Sequence, residues 1–242
     1  MTMTDTELHI FDTTEELYDS ALETLRRGLN EHEGNHYRVV LSGGSTPLRL
    51  YELILEDGGF DWHKLRIFFG DERTVPPDHP DSNFRAAYET LLDAAPIPND
   101  AIFRMQCELG AEEAARRYEQ AIRDEFALAP GELPRFDLIL LGMGADGHTA
   151  SLFPGTPALE ERERLVVPNP VPQLDTTRLT LTFPVLNAAR SVLFLVTGSD
   201  KAPAVRQALT GDIADRPPAG QVHPTAGRLL WYLDREAAAE LE

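Results

Sequence analysis

One stretch limits the fold more than any other: Phe136-Asp-Leu-Ile-Leu-Leu-Gly-Met-Gly-Ala-Asp-Gly-His-Thr-Ala-Ser-Leu-Phe-Pro154. The apolar run at 138–141 passes directly into Gly142, Gly144 and Gly147. A short continuous apolar run ended by glycine predicts a strand buried on both faces, as in a parallel sheet covered by helices. Sheets of that kind hold ligands beyond the carboxyl ends of their strands. The turn after this strand carries Asp146 and His148, a carboxylate and an imidazole suited to acid–base chemistry.

The same turn, Gly142-Met-Gly-Ala-Asp-Gly147, matches the G-x-G-x-x-G dinucleotide fingerprint in letters only. The fingerprint needs a long helix after the turn and an acidic residue at the end of the next strand. Here Pro154 and Pro157 stop any helix early. Glu160, Glu161 and Glu163 lie at about the right distance, but in a charged segment without strand character. Dinucleotide binding is therefore not expected.

The rest of the chain repeats the strand–loop–helix pattern. Leu8-His-Ile-Phe11 reads as a short edge strand. Thr13 and Glu16 are spaced as a capping box, and Leu17, Ala21, Leu22, Leu25 and Leu29 recur at helical spacing. Strands are predicted at Arg38-Val-Val-Leu41, Leu65-Arg-Ile-Phe-Phe69, Ser191-Val-Leu-Phe-Leu-Val196 and Arg228-Leu-Leu-Trp-Tyr-Leu233. Arg178-Leu-Thr-Leu-Thr-Phe183 alternates and also reads as a strand. Helices are expected after Pro47, from Ser82, over 111–128 and over 202–209. Residues 158–172 are charged, then proline-rich, and no strand is assigned there. The expected fold class is α/β: a single doubly wound, mainly parallel, Rossmann-like sheet flanked by helices, with residues 1–242 as one domain.

Composition excludes several functions. The formal net charge is -18, which argues against nucleic acid or an anionic membrane surface as a partner. No apolar stretch is long enough to span a bilayer, and the polar, acidic start lacks the features of a signal peptide. Cys107 stands alone, so neither a disulfide framework nor a cysteine zinc site is expected. A cytoplasmic protein with no metal and no cofactor is the expectation. Lys64 and Lys201 are the only lysines. An anionic ligand would need a local basic pocket within this acidic molecule.

Four polar loops follow central strands, at 42–47, 70–73, 142–149 and 197–201, and a parallel sheet would gather them at one edge. Ser42-Gly-Gly-Ser-Thr-Pro47 leads from strand to helix, with Thr46 suited to the N-cap and Pro47 to the first helical position. Free amides and the positive helix end would suit a phosphate; a tight turn built from small residues is the bland alternative. It is no Walker A loop. Ser45 nearly fits a nucleophile elbow, but proline takes the place of the last glycine. Gly70-Asp-Glu-Arg73 is either an exposed charged turn or part of a site. Lys201, in the fourth loop, is either solvated or an anion contact.

With these pieces assembled, the chain resembles the 6-phosphogluconolactonases, within the wider group that includes glucosamine-6-phosphate deaminase. The matching segments are Leu41-Ser-Gly-Gly-Ser-Thr-Pro47, Gly70-Asp-Glu-Arg73 with Ser82-Asn83, the 141–154 stretch, Arg178-Leu-Thr-Leu-Thr182, and Thr197-Gly198 with Lys201. The deaminases carry Asp-Glu-Tyr where this chain has Asp71-Glu72-Arg73, and Asn-Glu-Pro-Gly where it has Ser151-Leu-Phe-Pro-Gly155. Both departures point to the lactonase. The resemblance implies hydrolysis of 6-phospho-D-glucono-1,5-lactone to 6-phosphogluconate, in the oxidative pentose phosphate pathway. His148 would be the general base for water, Asp146 would orient or tune it, and Arg73 would stabilise the oxyanion or steer the substrate. Ser42, Gly43, Gly44, Ser45 and Thr46 would hold the phosphate, with charge from Lys201 and Arg178; Asp71 joins the substrate-binding set. The partner is a small sugar-phosphate lactone, and the protein is expected to be a monomer or a weak homo-oligomer. The rivals are a deaminase-like isomerase, a serine hydrolase using Ser45, His148 and Asp146, and a non-enzymatic sugar-phosphate sensor.

Overall fold

A computed structural model describes residues 5–241. The chain opens with β1 (Asp5–Phe11) and α1 (Thr14–Glu31), whose start carries the capping box of Thr13 and Glu16. Next come β2 (Tyr37–Leu41), α2 (Ser45–Asp57), β3 (Leu65–Phe69), β4 (Asp71–Arg73) and α3 (Asn83–Ala87). Then follow α4 (Ala111–Phe126), β5 (Leu138–Leu141), β6 (Val166–Val171), β7 (Thr176–Leu181) and α5 (Phe183–Ala188). The chain closes with β8 (Ser191–Val196), α6 (Ala202–Thr210) and β9 (Arg228–Asp234).

Six strands form one parallel sheet in the order β1-β9-β8-β5-β2-β3. Its strands alternate sides, because successive side chains leave opposite faces. In β5, Ile139 and Leu141 enter one apolar cluster with Tyr118 and Ile122 of α4 and Val205 of α6. Leu138 and Leu140 enter the other, with Leu17 and Leu25 of α1 and Leu50 and Ile54 of α2. Helices thus cover both faces, which is why the central strands read as unbroken apolar runs. Truncating any of these buried leucines to alanine would cost about 2–5 kcal/mol.

The order also locates the site. From β2 the chain moves outward to β3, and from β5 it moves the other way, to β8 and β9. β2 and β5 are neighbours, so the strand order reverses between them. Their carboxyl ends splay two loops apart, and the crevice between is the usual ligand position in sheets of this type.

Three expectations need correction. Residues 70–73 are not merely a loop: β4 is separated from β3 by Gly70 alone and pairs antiparallel with β7, which pairs with β6 in a separate three-stranded sheet. The Arg178 strand therefore does not belong to the main sheet. β6 lies where no strand is expected, since Pro168 and Pro170 fall inside it; proline is tolerated there because β6 is an edge strand. Finally, α2 begins at Ser45 with Gly44 as N-cap at φ 104, earlier than Thr46 and Pro47 implied. Pro47 still fits, since amides of the first turn have no intrahelical acceptor to lose.

Candidate active site

The loops after β2, β5 and β8, with β4 and β7, enclose a cavity of about 380 Å³, within the range of ligand pockets. It is lined by Ser42, Gly43, Gly44, Ser45, Thr46, Asp71, Arg73, His148, Arg178 and Lys201. Asp146 does not line it but stands behind His148. The imidazole and the amide-rich loop, a hundred residues apart in sequence, thus share one cavity.

The first loop is pinned from below. The buried Tyr51 hydroxyl donates to Ser42 O at 2.8 Å and accepts from Ser42 N at 2.9 Å. Gly43 lies against the Asn83 amide, and a Cβ there would collide with Asn83 Oδ1. The Ser45 and Thr46 amides occupy the first turn of α2, where no intrahelical acceptor exists. The positive end of that 13-residue helix faces the same point. The Thr46 and Thr197 hydroxyls, 2.9 Å apart, tie this loop to the one after β8. There Lys201 pairs with Asp200 at 2.7 Å, which holds the Asp200 carboxyl below its ordinary range.

The glycine-rich turn after β5 closes on itself and starts no helix. Gly144 N donates to His148 O at 2.9 Å, and Gly147 N to Gly144 O at 2.9 Å. A Cβ on Gly144 would strike the imidazole, so glycine is required there. His148 Nδ1 lies 2.6 Å from Asp146 Oδ1, and His148 N donates to the same oxygen at 3.1 Å. A carboxylate can only accept, so Nδ1 carries a proton, and in the neutral imidazole the lone pair is on Nε2. Phe153 stacks on the ring with centroids 4.1 Å apart and fixes its plane. Burial pushes the Asp146 carboxyl up, but donation from the His148 amide and the charge and hydrogen bond of its imidazole outweigh it, for a net lowering. Ser45 makes no hydrogen bond to His148 among the described residues, so no Ser–His–Asp triad is assembled.

The second sheet supplies the cationic wall. Arg73 of β4 lies directly opposite Arg178 of β7. Like charges in that relation repel. Burial, then the neighbouring Arg73, lowers the pKa of Arg178. Arg73 also donates to Asp81 O at 2.6 Å. Asp71, also of β4, accepts at Oδ2 from Ser151 Oγ at 2.6 Å. Glu72 turns away to cap α3, accepting from Asn83 N at 2.7 Å, Phe84 N at 2.8 Å and Ser82 Oγ at 3.1 Å. Burial still raises its pKa despite those amides. Among the described residues four buried side-chain polar atoms lack a partner: His36 Nδ1, Arg73 Nε, Asn83 Oδ1 and Arg178 Nε. Three of the four belong to residues lining this cavity. Unsatisfied buried groups are rare in native structures.

Sequence reasoning missed several supports. Asn169, fully buried in β6, donates to Ser151 O at 2.8 Å and Thr156 Oγ1 at 2.9 Å, fastening the segment after the histidine. Its setting, Pro-Asn-Pro, carries no local signal. Asn83 and Ser151 lie inside the matching motifs, but nothing local assigns them these contacts, and nothing local marks Phe153 as the ring that stacks on His148.

Comparison with known proteins agrees with this architecture. Residues 12–231 match the family model described as glucosamine-6-phosphate isomerases/6-phosphogluconolactonase. A 6-phosphogluconolactonase of Nostoc is 44% identical over 207 residues, covering 85% of each chain. The 6-phosphogluconolactonase of Rattus norvegicus is 39% identical over 246 residues, covering 97% of this chain and 93% of the rat protein. The solved 6-phosphogluconolactonase from Trypanosoma cruzi superposes with a TM-score of 0.88 at 30% identity, covering 99% of this chain and 98% of that one. A monomeric glucosamine-6-phosphate deaminase shares the fold at 23% identity and a TM-score of 0.80, covering 97% of this chain and 99% of that one. This chain belongs to the glucosamine-6-phosphate isomerase/6-phosphogluconolactonase family.

Proposed function

We propose that this protein hydrolyses 6-phospho-D-glucono-1,5-lactone to 6-phospho-D-gluconate, the lactone-opening step of the oxidative pentose phosphate pathway. One observation carries the reading: an imidazole with a free Nε2 and a set of anion-seeking groups line the same cavity. His148 Nε2 removes a proton from water as the water oxygen bonds to the lactone carbonyl carbon C1. The carbonyl electrons move onto oxygen, giving a tetrahedral oxyanion. That intermediate collapses by breaking the bond from C1 to the ring oxygen, which takes the proton back from the imidazolium. Asp146 holds the tautomer that can begin this cycle and stabilises the cation formed midway.

The phosphate rests on the amides of the Ser42–Thr46 loop, with Lys201 and Arg178 adding charge. Arg73, beside Arg178, steers the dianion inward and stabilises the oxyanion. The local cluster of cations answers the problem set by a net charge of -18. The names carried by the relatives support the same substrate.

The test is lactone hydrolysis followed by coupled oxidation of the 6-phosphogluconate formed, corrected for spontaneous opening. The wild type should accelerate opening, and His148→Ala should lose about 10²–10⁴ in kcat with little change in product affinity. Full turnover by His148→Ala would remove the imidazole from the mechanism.

A further inference from the structure

The peptide between Gly147 and His148 is gripped from both sides. Its nitrogen, His148 N, donates to Asp146 Oδ1 at 3.1 Å. Its carbonyl, Gly147 O, accepts from Ala219 N at 3.0 Å. A trans peptide is planar, and its C=O and N–H point in opposite directions. Holding the oxygen therefore aims the N–H. That N–H and His148 Nδ1 share one Asp146 oxygen, with Nδ1 at 2.6 Å. Ala219 thus reaches the base through a single rigid unit.

The turn needs such a hold. Gly147 stands at φ 76, a conformation that glycine leaves readily, and the Asp146 side chain is half exposed. From Gly144 to His148, the turn's other hydrogen bonds among the described residues stay within it. The segment opposite is stiff. Pro217 and Pro218 fix two successive φ angles, and Pro218, Ala219 and Gly220 are buried in the short turn Pro218–Gln221. Gly220 is seated on α6, where a Cβ would lie 2.6 Å from Ala208 O. Arg216 Nε ties the same segment to the residue that ends α6, donating to Gly211 O at 3.0 Å. On the other side Pro217 packs on Gly147: a Cβ there would lie 2.3 Å from Pro217 Cβ and 2.8 Å from its Cγ.

We propose that the Pro217–Ala219 segment is a positioning element for the general base, setting the Gly147 peptide and with it the contact between Asp146 and His148. The inference rests on the function proposed above. None of Pro217, Pro218 and Ala219 lines the cavity, so the segment acts only through the turn it holds. Displacing it misaligns the base while the Ser42–Thr46 loop, Lys201 and the two arginines keep their places. The loss therefore falls on kcat rather than KM, because a displacement of about 1 Å at the reacting groups costs up to about 10²-fold in rate.

The experiment measures kcat and KM for 6-phosphogluconolactone in wild type, Gly147→Ala, Gly220→Ala and the double variant Gly147→Ala/Pro217→Gly. Gly147→Ala drives the turn off Pro217, and Gly220→Ala drives the segment off α6 without touching the turn. Each should lower kcat by about tenfold or more, with KM changed by less than about twofold. In the double variant the nearest atom of residue 217 to the new Cβ is its Cα, at 3.8 Å, an ordinary contact, so most of the lost kcat should return. The downfield proton resonance of His148 Nδ1–H reads the same contact without turnover. It should be present in the wild type and the double variant, and lost or moved upfield in both single variants. Unchanged kcat or an unchanged resonance in either folded single variant overturns the inference. So does an equal loss in the double variant, or a rise in KM that matches the fall in kcat. Should one single variant fail to fold, the other decides. A wild type that opened the lactone no faster than buffer would instead sink the functional reading, and the resonance would still decide whether the segment sets the contact.

Discussion

The contact between His148 and Asp146 makes a graded prediction. Replacing Asp146 by asparagine keeps an oxygen that can accept from Nδ1 but removes the negative charge. The hydrogen bond across 2.6 Å then joins the imidazolium formed midway to a neutral oxygen, so only one of its two partners is charged. Losing one charged partner weakens a hydrogen bond by about 1–1.5 kcal/mol, the difference between bonds to charged groups, about 1.5–3 kcal/mol, and neutral ones, about 0.5–1.5 kcal/mol. The Asp146 side chain is 50% exposed, so water makes up part of that loss and the estimate is an upper one. About tenfold in kcat is the expected ceiling for Asp146→Asn. Asp146→Ala, which also frees the tautomer and ring orientation, should fall further, though short of His148→Ala. Initial rates with all three variants at saturating lactone test this ordering. If Asp146→Asn were as slow as His148→Ala, or as fast as wild type, the proposed division between base and orienting carboxylate would be wrong. The Asp146 pKa is lowered in the folded protein, so its contribution to stability is complete above the unfolded carboxyl value near 3.8 and is lost as pH falls through the lower folded one. Asp146 itself should therefore add no pH dependence to catalysis near neutrality.

Other perturbations probe the walls of the cavity and the core. Arg178→Met removes one of two opposed cations; with inorganic phosphate absent its thermal midpoint should rise by about 1–4 °C, while KM for the lactone rises by roughly tenfold or more. A fall in the midpoint would contradict the repulsion argument, and an unchanged KM would remove Arg178 from substrate binding. Glu72→Gln places an amide where Asn83 N, Phe84 N and Ser82 Oγ all donate, and should cost about 1–3 kcal/mol in urea unfolding at neutral pH. The folded pKa of Glu72 is raised, so the folded state keeps its proton longer, and this group's contribution falls as pH rises from 4.5 through that higher value. The difference in slope between wild type and Glu72→Gln over this window reads it directly. Burial pushes the Cys107 thiol up to about 12, so iodoacetamide at pH 8 should label it only as the protein unfolds; prompt labelling of the native protein would refute its burial.

The arginine pair shows where local sequence stops being informative. Arg178 could be placed on a strand and Arg73 at a strand end, yet nothing in either segment says that they face each other. That follows from pairing between β4 and β7, and β4 is only three residues long. Asn83 is similar: its position in Ser82-Asn83 was visible, but its orphan oxygen exists only because Asp71 and Gly43 are folded against it.

What the amino-acid sequence determined by itself was the main sheet, its two helical layers and the loops that carry the chemistry. Each central strand had to be apolar on both faces to be buried there, and each loop had to be polar and glycine-rich to end it, so the pattern is written locally. The tertiary structure alone decided the second sheet, the opposed arginines and the unsatisfied acceptor. Those features depend on contacts between distant segments, where a short strand or a proline-bearing edge strand has too little intrinsic preference to declare its partner.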